Sequence, residues 1–506
     1  MSSTLVNFFR YTEGDTLMFT QVSFWVFFGV LLAGYTFVYN RSVARSAYLL
    51  VFSLFFYFKS SGLFFSLLLF STLVDYTIGL LISQSKCKRN RQLLVALSVV
   101  TNLSVLSYFK YAYFFVDIIN GVFGTQWVVF NHLAQWGNAL FNTSFDTASI
   151  ILPVGISFYT FQTISYTVDV YRRKVLPVRN ILDFAFYVSF FPQLVAGPIV
   201  RAAEFIPQIK RKFEVSFNEF GHALFLILAG LVKKMVISDY LSVNFVDRVF
   251  DNPLSYTGFE NLMATYGYAM QIYCDFSGYT DIALGLALLL GFKLPINFNS
   301  PYKATSLTDF WHRWHISLSS WLRDYLYIPL GGNRKGRFRT YLNLMVTMLL
   351  GGLWHGAHLK YVVWGGIHGI GLIVEKLLSG YGLINLYRVK PINRMLWGII
   401  TFNIVSLSWV FFRAADFSSA MVMLRQIVTD FSFKTIPHVL AAYADVFLML
   451  IFGYMIHLLP YNVKEIIRGR FIAMPVSIKV AFTVVVILIL IQFQTMELKP
   501  FIYFRF

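Results

Sequence analysis

Apolar runs and short polar breaks alternate along the whole chain. The clearer runs cover about 19–39, 46–61, 63–84, 92–118, 149–170, 218–240, 259–292, 341–357, 361–380, 395–412, 443–460 and 475–494. Most approach the roughly 20 residues a helix needs to cross the hydrocarbon core of a bilayer. A helix satisfies its own backbone hydrogen bonds in lipid, so the pattern predicts an all-α, polytopic integral membrane protein with about 11–13 transmembrane helices. Some stretches are too broken by Gly and Pro to be simple spans, notably "SFFPQLVAGPIVRAAEF". These predict re-entrant helices, because backbone that leaves helical geometry at membrane depth must be buried in protein or line a wet cavity. No internal repeat, heptad run or low-complexity linker interrupts the series. The expectation is one membrane domain over 1–506, with a chemical core at about 270–370 and an aromatic tail at 495–506.

Charge adds orientation. Lys86, Lys88, Arg89 and Arg91 mark one basic loop, Arg172, Arg173 and Lys174 another, and Lys335, Arg337 and Arg339 a third. Between Lys110 and Arg172 there is no Lys or Arg. By the positive-inside rule the basic loops face the cytoplasm and the tail "MELKPFIYFRF" ends outside. The start, "MSSTLVNFFRYTEGDTLMF", has no basic region leading into a cleavage site and predicts no removable signal peptide. Only 13% of residues are charged, about half the share of a soluble protein, while 57% are hydrophobic. The net charge of +18 sits in short loops rather than along one soluble face, which argues against nucleic acid as a partner. Cys87 and Cys274 cannot build a disulfide scaffold and read as packing residues.

Against this background residues 309–324 stand out, with two His, two Arg and two Asp in one short stretch. Ionisable groups are costly at membrane depth and mark functional sites. His312, His315, His355, His358 and His368 fall within the core, the first four as two pairs spaced by three, which on a helix puts both rings on one face. Asp309, Arg313, Arg323, Asp324, Asn297 and Ser317 surround them in sequence. Gly352 and Gly356, then Gly365 and Gly369, repeat at four-residue spacing, which lets helices approach closely. Three chemistries fit the histidines. They can be satisfied packing residues, ligands gathered on a metal, or a neutral imidazole acting as general base on a hydroxyl attacking a thioester. The second pair lacks the neighbouring carboxylate that zinc sequences favour, so no metal ligand is assigned. A proton-coupled transporter or flippase is a further alternative, but such folds carry internal repeats and paired broken helices.

The run "YCDFSGYTDIALGLALLLGFKLPINFNSPYKATSLTDFWHRWHISLSSWLRDYLYIPLGGNRKG", the later "GGLWHGAHLKYVVWGGIHG" and the upstream "FFPQLVAGPIVRAAEFIPQ" resemble the membrane-bound O-acyltransferase family. Within it they are most similar to the bacterial alginate O-acetyltransferase branch. The resemblance implies an essential histidine in the "WHG" motif, here His355, and a second in "RWHxS", here His315, both in a central tunnel open to the two membrane faces. It makes His312, His358 and His368 weaker candidates. It implies no bound cofactor but a cytoplasmic acyl thioester donor, acetyl-CoA. The aromatic tail resembles those of relatives in which a tyrosine, here Tyr503, carries the acyl group to an extracytoplasmic SGNH-type transferase that acetylates a polysaccharide. Asn297, Arg313 and Ser317 are the candidate substrate-binding residues, the first and last also as oxyanion donors. The implied location is the bacterial inner membrane. Alginate, cellulose, peptidoglycan and capsular polymers all remain open as acceptors.

Overall fold

The computed structural model describes residues 11, 16–141, 145–381, 391–493 and 500–502. Among them every regular element is helical and there is no strand. Among the described residues six helices are long and apolar enough to cross a membrane: Ser42–Gln84, Lys88–Phe123, Phe217–Asp251, Leu359–Gly380, Asn393–Arg413 and Val476–Phe493. A seventh is added if Ile436–Ala442 and Ala444–Leu458, bent by 86°, count as one span. The all-α membrane architecture expected from the apolar runs is therefore present.

The shorter tally has a physical reason. Ser42–Gln84 is two helical legs, Ser42–Ser61 and Phe65–Gln84, hinged at Gly62 with φ +57°. Other apolar runs form helices that face protein rather than lipid and so carry polar residues. Ile156–Tyr171 has all but two of its 16 residues buried and includes Gln162, Thr163, Thr167 and Asp169. Gly258–Leu289, 32 residues or about 48 Å long at 1.5 Å per residue, is buried on every side over 267–280 and there encloses Gln271, Asp275, Ser277 and Thr280. Its start is set by a capping box in which Thr257 and Glu260 satisfy each other's backbone N–H groups, and Ser216 with Glu219 starts Phe217–Leu231 in the same way.

The segment 181–200 breaks as its prolines and glycine predict. Ile181–Ser189 ends at Phe190, a short turn of helix spans Phe191–Leu194, and the chain doubles back so that the Tyr187 hydroxyl donates to the Val200 carbonyl at 2.9 Å. Residues 183–200 are all buried, as non-helical backbone in a membrane protein must be. The basic loops converge on one end of the molecule. Arg91 donates to the Tyr171 carbonyl at 2.5 Å, Arg172 to the Asp324 carbonyl at 3.1 Å, and Arg201 pairs with the Asp324 carboxylate at 2.7 Å.

Candidate active site

Both histidine pairs straddle helix ends, so the shared helical face expected from their spacing is not formed. The helix Arg337–His355 stops at His355, because Gly356 is extended at φ −169°, ψ 149°. The helix Leu307–Arg313 stops before Trp314, and His315 sits in the left-handed region at φ 43°, ψ 55° before the chain resumes as Ile316–Leu322. A residue with a side chain is held there only where its surroundings over-determine it. Asn297 does most of this: its carbonyl accepts from Ile316 N at 3.0 Å and its Oδ1 from Ser317 N at 3.2 Å. Ser317 Oγ in turn accepts from Ile199 N at 3.0 Å, tying the re-entrant segment to the break.

These breaks bring together the two histidines that belong to different pairs. The rings of His315 and His355 lie 6.4 Å apart, both buried, inside a sleeve of aromatic rings. Phe276 stands edge-on to His315 at 4.7 Å, and Trp364 and Phe412 edge-on to His355 at 5.1 and 5.3 Å. The helix carrying His355 lies against Leu359–Gly380 at backbone contact: a Cβ on Gly352 would fall 2.2 Å from the Tyr361 carbonyl, and one on Gly365 2.3 Å from the Met348 carbonyl.

Of the other sequence candidates, Asn297 and Ser317 stand beside His315 as its brace. Arg313 is part of the same brace, with Nε on Asp309 at 2.7 Å and Nη1 donating to the Asn299 carbonyl at 3.3 Å. His368 bonds Ser408 at 3.0 Å and packs on Trp364. His358 is exposed at a helix start. Among the described residues no three His, Cys, Asp or Glu gather where they could hold a metal ion.

Two cavities approach the pair from opposite sides. One, of about 500 Å³, is lined by Trp311, His312, Ile316, Arg323, Met348 and Lys376 and lies toward the basic end. Ile316 adjoins His315 in sequence, and Trp311 touches Trp364, which touches His355. The other, of about 120 Å³, is lined by Lys234, Asp275, Lys360, Phe412, Arg413 and Ile502, with Phe412 the ring next to His355. Lys360 of one cavity and Lys376 of the other are 16 positions apart on a single helix, about 24 Å by helical rise.

The C-terminal segment forms part of the second cavity. Phe501 is buried against Phe19 and Tyr279, and Ile502 N donates to Asp275 Oδ2 at 2.8 Å. Lys234 pairs with Asp275 at 2.7 Å and Asp239 at 2.8 Å and lies over the Phe501 ring at 4.8 Å. Tyr503 lies outside the described residues. Three residues that matter here were passed over in the sequence: Lys110, Lys234 and Asp275. The signal was available, since each is an ionisable residue inside an apolar run. Lys110 donates to the carbonyl of Trp354 at 2.7 Å, directly behind His355.

Comparison with known proteins places this arrangement. The family model for MBOAT, membrane-bound O-acyltransferase, matches residues 176–415, which include Asn297, His315, Ser317 and His355. A probable alginate O-acetylase AlgI of Pseudomonas putida is 41% identical over 384 residues, covering 75% of this chain and 74% of the relative. The chain belongs to the membrane-bound O-acyltransferase family. Other members are similar to the same degree. A probable alginate O-acetylase AlgI of Pseudomonas aeruginosa is 43% identical over 375 residues, 73% of this chain and 66% of that protein's length. A peptidoglycan O-acetyltransferase of Helicobacter pylori is 37% identical over 407 residues, 75% and 73% of the two chains. Membership makes the protein a membrane-embedded O-acyltransferase, and the two buried histidines its candidate chemical centre.

Proposed function

We propose that this acyltransferase moves an acetyl group from acetyl-CoA at the basic face of the membrane to an acceptor at the opposite face, for O-acetylation of an exported or cell-wall polysaccharide. The observation that carries the reading is the placement of His355 between two cavities, the smaller one ring away through Phe412 and the larger two rings away through Trp364 and Trp311. The larger cavity opens among Arg323 and Lys376, cations suited to the phosphates of a nucleotide thioester. The smaller contains the anchored C-terminal segment.

In this scheme His355 is the general base and Tyr503 the nucleophile. A phenol, with pKa about 10, is a poor nucleophile at neutral pH without a positioned base. The imidazole takes the phenolic proton as the oxygen attacks the thioester carbonyl. The tetrahedral oxyanion collapses, the C–S bond breaks, and the proton passes to the departing thiolate. The product is an acetyl-tyrosine at the outer cavity, from which a hydroxyl of an SGNH-type partner takes the acetyl group and returns the phenol. Only the acetyl group crosses, so the charged donor never enters the bilayer. The anchoring of Pro500, Phe501 and Ile502 beside Phe412 supports the relay, since it brings the chain immediately before Tyr503 to the outer side of His355. The names of the relatives support a polysaccharide or peptidoglycan acceptor, and a thioester donor made in the cytoplasm suits the bacterial inner membrane as location.

The test is polymer acetylation in cells carrying single substitutions. His355→Ala is expected to lower acetylation at least about 10²-fold, the scale of a lost general base, with the protein still inserted. Tyr503→Phe, which keeps the ring and removes only the oxygen, is expected to do the same. Normal acetylation in Tyr503→Phe with loss in His355→Ala would remove the relay and leave direct transfer to the acceptor.

A further inference from the structure

The last three carbonyls of the helix that ends in His355 are held from a single place elsewhere in the chain. Tyr111 donates its hydroxyl to the Leu353 carbonyl at 2.8 Å. Lys110 Nζ donates to the Trp354 carbonyl at 2.7 Å and to the His355 carbonyl at 3.4 Å, with a third bond to Ser157 Oγ at 3.1 Å. The lysine is buried and, among the described residues, is in no ion pair with a carboxylate. A cation at that depth is expensive and is kept where it has a task. Here it meets the negative end of a helix dipole and the orphan acceptors left by the break at Gly356.

The geometry that delivers both residues is itself irregular. Neighbours on a regular helix point about 100° apart, so Lys110 and Tyr111 would not address one helix end together. Residues Ser107–Tyr111 instead form a π-helical bulge within Lys88–Phe123, and Tyr111 lies at φ −113°, ψ 0°. Such bulges concentrate at functional sites. The same knot includes Trp354, whose indole N–H donates to the Ser157 carbonyl at 3.4 Å and whose ring lies 5.9 Å from the lysine nitrogen.

We infer that Lys110 and Tyr111 are positioning residues for the acyl transfer: by gripping the carbonyls of Leu353, Trp354 and His355 from the π-bulge, they fix the backbone from which the His355 imidazole reaches the reacting atoms. This rests on His355 being the base proposed above. It extends the active site to a helix that lies outside residues 176–415, the region matched by the family model. Neither residue touches substrate. Their effect is on where the base stands, and a misplacement of about 1 Å can cost on the order of 10²-fold in rate.

The experiment compares variants of the full-length protein in membranes, with acetyl-CoA as the probe and release of free CoA thiol as the readout, normalised to inserted protein. Lys110→Met is expected to lower kcat about 10²-fold while KM for acetyl-CoA stays within about threefold, the pattern of a lost transition-state interaction rather than lost binding. Tyr111→Phe, which removes one oxygen, is expected to lower kcat by roughly tenfold, and Lys110→Arg to recover part of the loss because the guanidinium can still donate to the carbonyls. Combining Lys110→Met with His355→Ala is expected to add nothing to His355→Ala alone, since residues acting through one group are non-additive. Tyr111→Phe within twofold of wild type, with His355→Ala inactive, would overturn the positioning role even if Lys110→Met fails to insert. Full activity in His355→Ala would instead remove the catalytic reading on which it stands.

Discussion

His315 is one of three described residues other than Gly, with Arg173 and Ser300, whose φ is positive. At φ 43° a side chain with a single γ branch is strained, and a β-branched one more so. Asn and Asp enter this region most readily among residues other than Gly. His315→Asn is therefore expected to insert and fold like the wild type while losing activity, and His315→Val to lose folded protein by about 1–2 kcal/mol or more. Thermal melting of the two purified variants separates these effects; equal melting temperatures would mean that the Asn297 brace does not hold the conformation. The sequence carried the identity of this residue but not its geometry. The motif "RWHIS" marked His315, yet spacing alone put it on a helix with His312, because a left-handed residue leaves no periodic trace. What breaks the helix is Asn297, which comes from the preceding loop and bonds the backbone of Ile316 and Ser317.

At the level of elements, the small-residue spacing in "GGLWHGAHLKYVVWGGIHG" was legible and has a sharp consequence. Gly352 and Gly365 have no room for a methyl group because each faces a backbone carbonyl, whereas a Cβ on the adjacent Gly366 would meet only Leu349 Cδ2 at an ordinary 3.6 Å. Gly365→Ala is expected to push the two helices apart and reduce folded protein and activity together, and Gly366→Ala to leave both near wild type. Detergent stability measured by size-exclusion chromatography checks the contrast; equal behaviour of the two would mean the helices are not packed at that register. The π-bulge at Ser107–Tyr111 was not legible. Its stretch, "SYFKY", looks like ordinary span sequence with one misplaced lysine, and the partner of that lysine lies 244 positions along the chain. A contact that remote is invisible to any local pattern. The anchored tail was half visible: the aromatic run marked it, but its dock, Lys234 with Asp275, is assembled from two other helices.

Over the whole molecule, the apolar runs foretold an all-α membrane bundle, and among the described residues six helices are long and apolar enough to cross a membrane. Ile156–Tyr171, of 16 residues, and Gly258–Leu289, of 32, are apolar helices that bury their polar side chains in protein. Basic loops 80 or more residues apart in sequence meet in space, as Arg91 bonds Tyr171 and Arg172 bonds Asp324. That polarity gives the proposed reaction its direction, from the cavity near Arg323 and Lys376 through the histidines to the cavity beside the tail. The most direct measurement uses sealed, inverted membrane vesicles containing the full chain, its host's extracytoplasmic transferase and its host's glycan, with radiolabelled acetyl-CoA added only outside. The account predicts labelled glycan inside wild-type vesicles and none above background inside His355→Ala vesicles of equal protein content. Label accumulating inside the His355→Ala vesicles at the wild-type rate would contradict it.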